Sequence, residues 1–407
     1  MTRFKVLVLG LNYAPEHTGI APYTAGMARG LSRDYDVKVV TAHPHYPAWK
    51  ISDGYGAWRH DERGAGVAVL RLRHYVPSNP TGPTRVLSEV TFAARALASR
   101  VRKPDLVITV TPALLPVLSA FLLARRWGVP LGVVVQDLYS RAMVEVGLLG
   151  ERGSGPAARL ESFALKRADG LVAIHERFAQ TIVDKLGVDP DRITVIPNWS
   201  HVSPPAGHRD ETRRRLGWGS ETVILHAGNM GVKQGLEHVV DAAALAERLG
   251  DRLRVVLMGN GNQRSDLERR AQASPSVNMM DSVPDSEFTD VLAAADVLLL
   301  HERPGVVEMC VPSKLTSYFA AGRPVLAATS MRSAAAHEIR ASGAGTVVEP
   351  GNPLGLLEAL RSLISESSFD ELGQRGQAYA RERLSETKAL DAYRDWVDGL
   401  LSRIARR

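Results

Sequence analysis

Short apolar runs alternate with amphipathic segments along almost the whole chain, and helical spacing occurs at 21–31 and 85–101. Because the runs are apolar on both faces and are separated by helices, they predict parallel strands in a sheet that helices cover on both sides. In the first half, the runs that predict strands are 4–10, 36–42, 67–72, 105–110, 131–137, 170–176 and 193–198.

The same pattern starts again after a polar, proline-rich stretch at 199–210. A chain of 407 residues exceeds the roughly 250–300 residues that one core usually serves. We therefore predict two doubly wound, Rossmann-like α/β domains, 1–200 and 201–385, with a binding cleft between them. The second set of predicted strands is 222–231, 253–261, 277–283, 295–301, 323–329 and 344–350.

The last segment, 386–407, is helical by its spacing and is assigned to the first domain. Its apolar stripe must pack on another element. The residues of that stripe are Leu390, Tyr393, Val397, Leu400 and Ile404.

Composition favours a soluble globular protein, with 45% hydrophobic and 23% charged residues. The single cysteine, Cys310, cannot form an internal disulfide, which favours the cytoplasm. The apolar run at 6–9 is too short for a signal peptide. The stretch 106–124 approaches membrane-spanning length, but its threonines and prolines favour a strand, a turn and a helix instead.

Charge is unevenly divided, since the net charge is +8 over residues 1–200 and −2 over the remainder. A basic half suits anionic partners. The arginines are scattered and no recognised nucleic-acid module is present, so we predict no nucleic-acid partner. The predicted helix at 85–103 has an apolar stripe opposite basic side chains, which either dock on an anionic membrane face or are simply solvated. The residues of that stripe are Val86, Val90, Ala93, Leu97 and Val101.

Glycine-bearing turns follow several predicted strands, where open α/β sheets bind ligands. Thr18-Gly19-Ile20 stands before a helix, and glycine lets backbone N–H groups approach a phosphate, although an ordinary turn is the alternative. A second turn, "HAGNMGVKQG", places Lys233 within reach of an anion, unless that lysine is merely solvated. A third turn, "MGNGNQRSDLE", contains Gly261.

The fourth feature is "CVPSKLTSYFAAGRPVLAAT" at 310–329. Pro312 near the first helical position leaves the N–H groups of Ser313, Lys314 and Leu315 free at the positive end of a helix dipole. With the ammonium of Lys314 added, a diphosphate is the predicted ligand.

The order of these segments, with "DSVPDSEF" and "VPSKLTSYFAAGRPVLAA", resembles the retaining GT-B glycosyltransferases of family 4 over nearly the whole chain. The segments "HPHYPAW", "VVQDLY" and "GNMGVKQGLE" resemble most the colanic-acid-type exopolysaccharide and O-antigen transferases. The resemblance implies a nucleotide-diphosphate sugar donor on the second domain, an acceptor on the first, and a final helix that crosses back to the first.

The resemblance also implies roles for individual residues. Lys233 and Lys314 would stabilise the leaving diphosphate, with no protein nucleophile, no metal and no other cofactor. Val283 would meet the base through its backbone. The predicted donor-binding residues are Gly19, Asn229, Gly231, Gln234, Gly261, Val283, Glu308, Pro312, Ser313, Lys314, Leu315 and Ser317.

The sequence departs from the common family pattern at both ends of the donor site. Asn229 and Gln234 stand where the family commonly has Arg and Lys. Ser317 and Met309 stand where it has two glutamates, and Glu308 is the adjacent acid that could serve instead. These differences concern ribose binding more than phosphate binding.

On the acceptor side, Asp137 ends a predicted strand, where it either orients the acceptor hydroxyl or caps the next helix. His43, His45 and Tyr46 follow the second strand and suit sugar hydroxyls and faces, although loop packing would also account for some of them.

We predict a cytoplasmic glycosyltransferase, either free or in contact with the inner face of the plasma membrane, that acts on a glycan or polyprenyl-linked acceptor. The alternatives are a nucleotide-sugar epimerase on the same scaffold and a non-catalytic nucleotide-sugar-binding subunit.

Overall fold

The structure is a computed structural model. It divides into two compact units, Met1–Asn198 with Thr387–Arg407, and Trp199–Glu386. The residues that it describes are 3–17, 19–138, 154–200, 202, 205–305, 313–366 and 368–403.

In its described part, the first unit holds one sheet with strand order β3-β4-β2-β1-β5-β6-β7-β8. All neighbouring pairs are parallel except β3 and β4. Because β1 lies between β2 and β5, the chain order reverses at β1, and such a switch point is where doubly wound sheets bind ligands. The strands are β1 (Lys5–Leu9), β2 (Asp36–Ala42), β3 (Arg59–Gly64), β4 (Val67–Leu72), β5 (Leu106–Val110), β6 (Leu131–Val135), β7 (Gly170–Ala173) and β8 (Ile193–Val195).

The helices of this unit connect the parallel strands, as the alternating pattern predicts. They are α1 (Ala21–Leu31), α2 (Gly82–Leu97), α3 (Leu114–Trp127), α4 (Ser154–Leu165) and α5 (Glu176–Leu186). A short 3₁₀ helix spans Pro190–Arg192.

Two features of this unit differ from the sequence prediction. Strand β3 reads RHDERG and was missed, because an edge strand with one paired side needs no apolar run. The predicted apolar stripe of α2 is wrong at Val86 and Val90, which are 40% and 44% exposed. The buried face of α2 consists of Ser88, Glu89, Phe92, Ala93 and Ala96.

The second unit holds a parallel sheet with strand order β11-β10-β9-β12-β13-β14. Its switch point lies between β9 and β12. The strands are β9 (Thr222–Ala227), β10 (Leu253–Met258), β11 (Val277–Met280), β12 (Val297–His301), β13 (Val325–Ala328) and β14 (Gly345–Val348). The helices are α6 (Arg209–Arg215), α7 (Glu237–Arg248), α8 (Arg264–Ala271), α9 (Asp285–Ala294), α10 (Ser313–Ala321), α11 (Ala334–Ser342), α12 (Pro353–Glu366) and α13 (Phe369–Arg383).

Alternate residues of these strands enter different cores, one on each face of the sheet. Val223 and Leu225 pack into one cluster, whereas Ile224, between them, packs into the other. Strands buried on both faces explain why the apolar runs were continuous rather than alternating.

The final helix, α14 (Glu386–Ser402), packs on the first unit, as predicted. Its buried Trp396 lies so close to β6 that a Cβ on Gly132 would stand 2.5 Å from the indole ring. The hydroxyl of Tyr35 donates a hydrogen bond of 2.7 Å to the carboxylate of Asp398. Glycine in β6 therefore makes room for the helix that returns from the end of the chain.

Candidate active site

Two glycine turns interlock at the carboxyl ends of β9 and β10. The N–H of Met230 donates to the carbonyl oxygen of Asn260 at 2.8 Å, and the N–H of Gln263 donates to the carbonyl of Met230 at 2.9 Å. A Cβ on Gly259 would collide with the carbonyl of Gly228, and one on Gly261 with that of Met230. Only glycine fits at both contacts, so the two backbones meet with no side chain between them.

The first of these turns continues into a 3₁₀ helix, Val232–Gln234. The side-chain oxygen of Gln234 accepts a hydrogen bond of 3.0 Å from the N–H of Gly231. Asn229 is exposed, and its Oδ1 lies 2.7 Å from the position that a Cβ on Gly261 would occupy. The structure thus brings together four residues that the sequence assigned to the donor site.

Lys233 is half-buried in this 3₁₀ helix. Its carbonyl oxygen accepts a hydrogen bond of 2.7 Å from the N–H of Arg303, and Arg303 in turn pairs with Glu237 at 2.8 Å. In the described part of the chain, no carboxylate lies within 4 Å of the Lys233 ammonium. This cation is therefore available to an anionic ligand.

Lys314 comes from the first turn of α10 and lies beside the same glycine turn. Its Nζ is 3.4 Å from Nε2 of His226 and 3.7 Å from the position of a Cβ on Gly228. Burial lowers the pKa of Lys314 to about 8, and the charge of Glu302 opposes that shift. Within the described ranges, no carboxylate lies within 4 Å of this ammonium either.

The remaining predicted donor residues lie in several settings. Leu315 is buried in the core, so only its backbone could face a ligand, and Ser317 is half-buried on the same helix. Val283 is partly buried against that core, just before α9. Ser313 begins α10, whereas Glu308 and Pro312 lie outside the described residues.

Arg264 connects the second glycine turn to the segment after β11. Its Nη1 donates a hydrogen bond of 2.7 Å to the carbonyl of Gly259 and pairs with Asp281 at 2.6 Å, and its Nε pairs with Glu268. This arginine is therefore engaged in holding the turn.

In the first unit, the loops after β1 and β2 lie against one another. Gly19 has a left-handed backbone, with φ of 65°. A Cβ there would stand 3.5 Å from the ring of Tyr46, which is 41% exposed. The predicted phosphate-loop glycine and one predicted acceptor residue are thus neighbours.

His43 and His45 are only 1% and 2% exposed. Nε2 of His43 lies 2.8 Å from the carbonyl of Ala57, and Nδ1 of His45 lies 2.9 Å from the carbonyl of His43. Both rings pack inside the loop, and neither is exposed to solvent. Among these three residues, only Tyr46 has an exposed side chain.

Sequence reasoning missed Glu16, which organises this loop. Its buried carboxylate accepts hydrogen bonds of 2.8 and 2.9 Å from the N–H groups of His45 and Tyr46, and another of 2.9 Å from the side chain of Asn12. A lone acid in an otherwise uncharged strand-to-helix loop was the available signal.

Asp137 follows β6 at the carboxyl edge of the sheet. Its Oδ1 accepts a hydrogen bond of 2.8 Å from the N–H of Leu138, and its carbonyl accepts one of 2.9 Å from the hydroxyl of Thr111. This placement is compatible with either of the two roles considered for it, and its role in acceptor orientation stays a prediction.

Comparison with known proteins decides the family. Residues 18–199 match the model of a glycosyl transferase 4-like domain, and residues 221–366 match that of glycosyl transferases group 1. The colanic acid biosynthesis glycosyl transferase WcaI of Escherichia coli K12 is 33% identical over 340 residues, covering 78% of this chain and 81% of WcaI. The chain belongs to the GT-B glycosyltransferases.

Solved structures share the fold of this glycosyltransferase. Sucrose-phosphate synthase from Thermosynechococcus elongatus has a TM-score of 0.80 at 14% identity, covering 98% of this chain and all of that one. Anabaena HepE in complex with UDP-glucose has a TM-score of 0.70 at 14% identity, covering 97% and 100% of the two chains.

The family assignment confirms the predicted enzyme class, a glycosyltransferase, and gives no support to the epimerase or the binding subunit. Among its described residues, this glycosyltransferase has no helix that is both long and apolar enough to span a bilayer.

Proposed function

We propose that this glycosyltransferase transfers a sugar, with retention of configuration, from a nucleotide-diphosphate sugar to a glycan or lipid-linked acceptor in cell-surface polysaccharide biosynthesis. The observation that carries the proposal is the half-buried Lys314, whose ammonium lies beside the interlocked glycine turns. The name of WcaI, a colanic acid biosynthesis enzyme, supports the polysaccharide role.

A diphosphate is the ligand that this arrangement suits best. A partly desolvated ammonium with no carboxylate within 4 Å among the described residues is destabilised unless an anion compensates its charge. The glycine turns allow an anion to approach the backbone, and the first turn of α10 adds the positive end of a helix dipole. HepE, which shares the fold, was solved with UDP-glucose, and that is a donor of the proposed class.

In the proposed reaction, Lys233 and Lys314 stabilise the charge that develops on the leaving diphosphate. The donor phosphate accepts the proton of the acceptor hydroxyl, so that no protein nucleophile is needed. Because two ammonium groups and backbone N–H groups provide the positive charge, we propose that transfer requires no metal ion. Donor turnover that is unchanged by EDTA would agree with this; loss of turnover that Mg²⁺ restores would contradict it.

We place the acceptor on the N-terminal unit, at the loops after β1, β2 and β6. Tyr46 supplies an exposed aromatic face beside Gly19, Asp137 supplies a carboxylate to orient a hydroxyl, and buried His43 and His45 support the Tyr46 loop. Removing the Tyr46 ring should then raise the KM for the acceptor and leave the KM for the donor unchanged.

A decisive assay mixes the pure enzyme with UDP-, GDP- and dTDP-sugars, with and without a polyprenyl-lipid extract. The proposal predicts release of nucleoside diphosphate, and of a labelled lipid, only when the extract is present. Appearance of an epimerised donor without acceptor would instead establish the epimerase alternative.

We further propose that the N-terminal unit docks on an anionic membrane, and the exposed face of α2, α3 and α4 supports this. The acids of these helices, Glu89 and Glu161, are both buried, so the exposed face carries no carboxylate. Its exposed apolar side chains are Val86, Leu87, Val90, Leu122, Leu160 and Phe163. The exposed cations on or just beyond these helices are Arg100, Arg102, Lys103, Arg125, Arg126, Arg159, Lys166 and Arg167.

Exposed apolar side chains bordered by cations suit the interface of an anionic bilayer. We expect the enzyme to sediment with vesicles that contain phosphatidylglycerol and not with pure phosphatidylcholine. The double variant Leu122→Glu/Phe163→Glu should lose this binding, whereas Leu249→Glu, at an equally exposed leucine of the other unit, should retain it. Equal loss in both variants would contradict docking through this face.

A further inference from the structure

A chain of polar contacts joins Leu299, in the middle of β12, to the ammonium of Lys314 through His226. Nδ1 of His226 lies 3.2 Å from the carbonyl oxygen of Leu299, and Nε2 lies 3.4 Å from Nζ of Lys314. Because a carbonyl can only accept, Nδ1 carries the ring proton, and the lone pair of Nε2 is directed to the ammonium.

The ring of His226 is fully buried, and its pKa is lowered well below its ordinary value, first by burial and then by the charge of Lys314. The backbone groups of Leu299 and Asn229 oppose this lowering. A protonated ring would present a second N–H to the ammonium and repel it. The ring therefore stays neutral at physiological pH and acts only as an acceptor for Lys314.

The other titratable groups near Lys314 do not replace this contact. Glu302 attracts the ammonium from beyond 4 Å, while its own carboxylate accepts a hydrogen bond from the hydroxyl of Thr329. His301 lies 2.6 Å from the carbonyl of Gln234, and burial lowers its pKa to about 4. Among the described residues, His226 is thus the hydrogen-bonding partner of the Lys314 ammonium.

We propose that His226 is a positioning residue, which holds the Lys314 ammonium over the Gly228 turn so that it meets the donor diphosphate. The proposal rests on the proposed function for the role of the diphosphate, but the geometry of the contact stands without it. His226 itself acts through Lys314, since its Nε2 is directed to the ammonium.

The test compares His226→Phe with Tyr318→Phe. Phenylalanine keeps the size of the histidine ring but removes both nitrogens. Tyr318 is a matched control, because its buried hydroxyl also lies 3.2 Å from the carbonyl oxygen of Leu299. This hydroxyl accepts a hydrogen bond from the N–H of Ala227 and makes none with Lys314.

Two measurements are made on each variant. The first is the dissociation constant for UDP, GDP or dTDP across pH, and the second is the titration of the Lys314 13Cε signal without ligand. The chain has nine lysines, so the signal can be assigned by its loss in Lys314→Arg. We expect His226→Phe to weaken binding at least about fivefold and to move the Lys314 titration to lower pH, because the ammonium loses its acceptor. His226→Gln, which can return an oxygen near the Nε2 position, should restore part of both effects.

Tyr318→Phe should leave the titration of Lys314 where it is in the wild type. If His226→Phe folds and titrates Lys314 at the wild-type pH, the positioning role is wrong. If the wild type binds none of the three diphosphates while His226→Phe still shifts the titration, the contact stands and the proposed donor site fails.

Discussion

Among single residues, Lys314 shows both what the sequence could predict and what it could not. Its place after Pro312 at the start of a helix predicted a phosphate-binding position. Its burial and its contact with His226 depend on how β9 and β12 end, and residues 88 positions apart give no local signal of such a contact. The charge of Lys314 is therefore tuned by tertiary packing.

The lowered pKa of Lys314 predicts that donor binding depends on pH. Burial lowers the pKa of Lys314 to about 8, so the ammonium is present below that pH and is lost above it. Affinity for the nucleoside diphosphate should fall as pH rises through about 8, which titration calorimetry at several pH values would measure. Lys314→Met should bind weakly at every pH, and a wild-type affinity that is constant from pH 7 to 9.5 would contradict the role of the ammonium.

Glu89 predicts a pH dependence of stability. Its buried carboxyl accepts a hydrogen bond of 3.2 Å from the N–H of Leu115, and burial raises its pKa from 4.5 to about 7. The unfolded chain releases this proton at lower pH than the folded one, so the free energy of unfolding falls as pH rises from 4.5 to 7. Glu89→Gln keeps an acceptor and should gain about 1–3 kcal/mol at pH 8 but little at pH 4.5, as measured by denaturant unfolding. Equal gains at the two pH values would refute this account.

The loop of His43, His45 and Tyr46 shows the limit of residue-type reasoning. Histidine and tyrosine both suit a sugar, yet only Tyr46 is exposed. Both histidine rings are buried, and Glu16 binds the backbone N–H groups of His45 and Tyr46. A carboxylate some 30 residues earlier gives no pattern that would predict this. The types of side chain in this loop therefore could not predict which of them face outward.

At the scale of elements, the two glycine turns after β9 and β10 form one unit. Their glycines were predicted to admit a phosphate, and the structure adds a second requirement, the contact of one turn with the other. Both requirements come from the absence of a side chain. The sequence alone could show the first, since it concerns one loop, but not the second, since it joins two.

Gly259→Ala tests the contact between the turns. A Cβ there would collide with the backbone carbonyl of Gly228, which cannot move like a side chain, and φ is 136°. We expect a loss of about 2–4 kcal/mol in the free energy of unfolding and a large loss of diphosphate binding. Gly217→Ala is the control, because the φ of Gly217 is also positive, at 67°, but a Cβ added there would have no neighbouring group within 4 Å. Similar effects of the two variants on binding would count against the interlocked turns.

The predicted helices and strands were confirmed where the apolar pattern reflects burial of the element, and they were wrong where it does not. Strand β2, at 36–42, begins and ends where its apolar run predicted. Strand β3 is polar at the sheet edge, and α2 buries Ser88 and Glu89 while it exposes Val86 and Val90. Exposed apolar side chains depart from the usual pattern, so these two valines were assigned to the buried side.

At the scale of the whole molecule, the proposed donor and acceptor sites are assigned to two units with separate sheets. The C-terminal unit holds the predicted donor residues other than Gly19, and the N-terminal unit holds Gly19 and those assigned to the acceptor. Helix α14 belongs to the N-terminal unit. The sequence could predict this only through the family resemblance, because an amphipathic stripe does not identify the element on which it packs.

Trp396→Ala should destabilise the N-terminal unit selectively. The buried indole of α14 packs against Gly132 and Gly170, in β6 and β7, so its loss should cost about 3–5 kcal/mol there. Hydrogen exchange should rise in peptides from β6 and β7 and stay unchanged in those from β9 and β12. Trp58→Ala, at an exposed tryptophan, is the control. A uniform rise across both units would show that the helix serves the whole chain instead.

The central claim is that Lys314 and the glycine turns bind the diphosphate of a nucleotide-sugar donor. Its most direct test is calorimetric titration of the wild type and Lys314→Ala with UDP, GDP and dTDP at about pH 7, with the fold of both checked by circular dichroism. The account predicts that at least one of the three binds the wild type and that Lys314→Ala weakens this binding by about tenfold or more, since a charged hydrogen bond contributes about 1.5–3 kcal/mol. Equal affinity of the two proteins for a diphosphate that binds would contradict it.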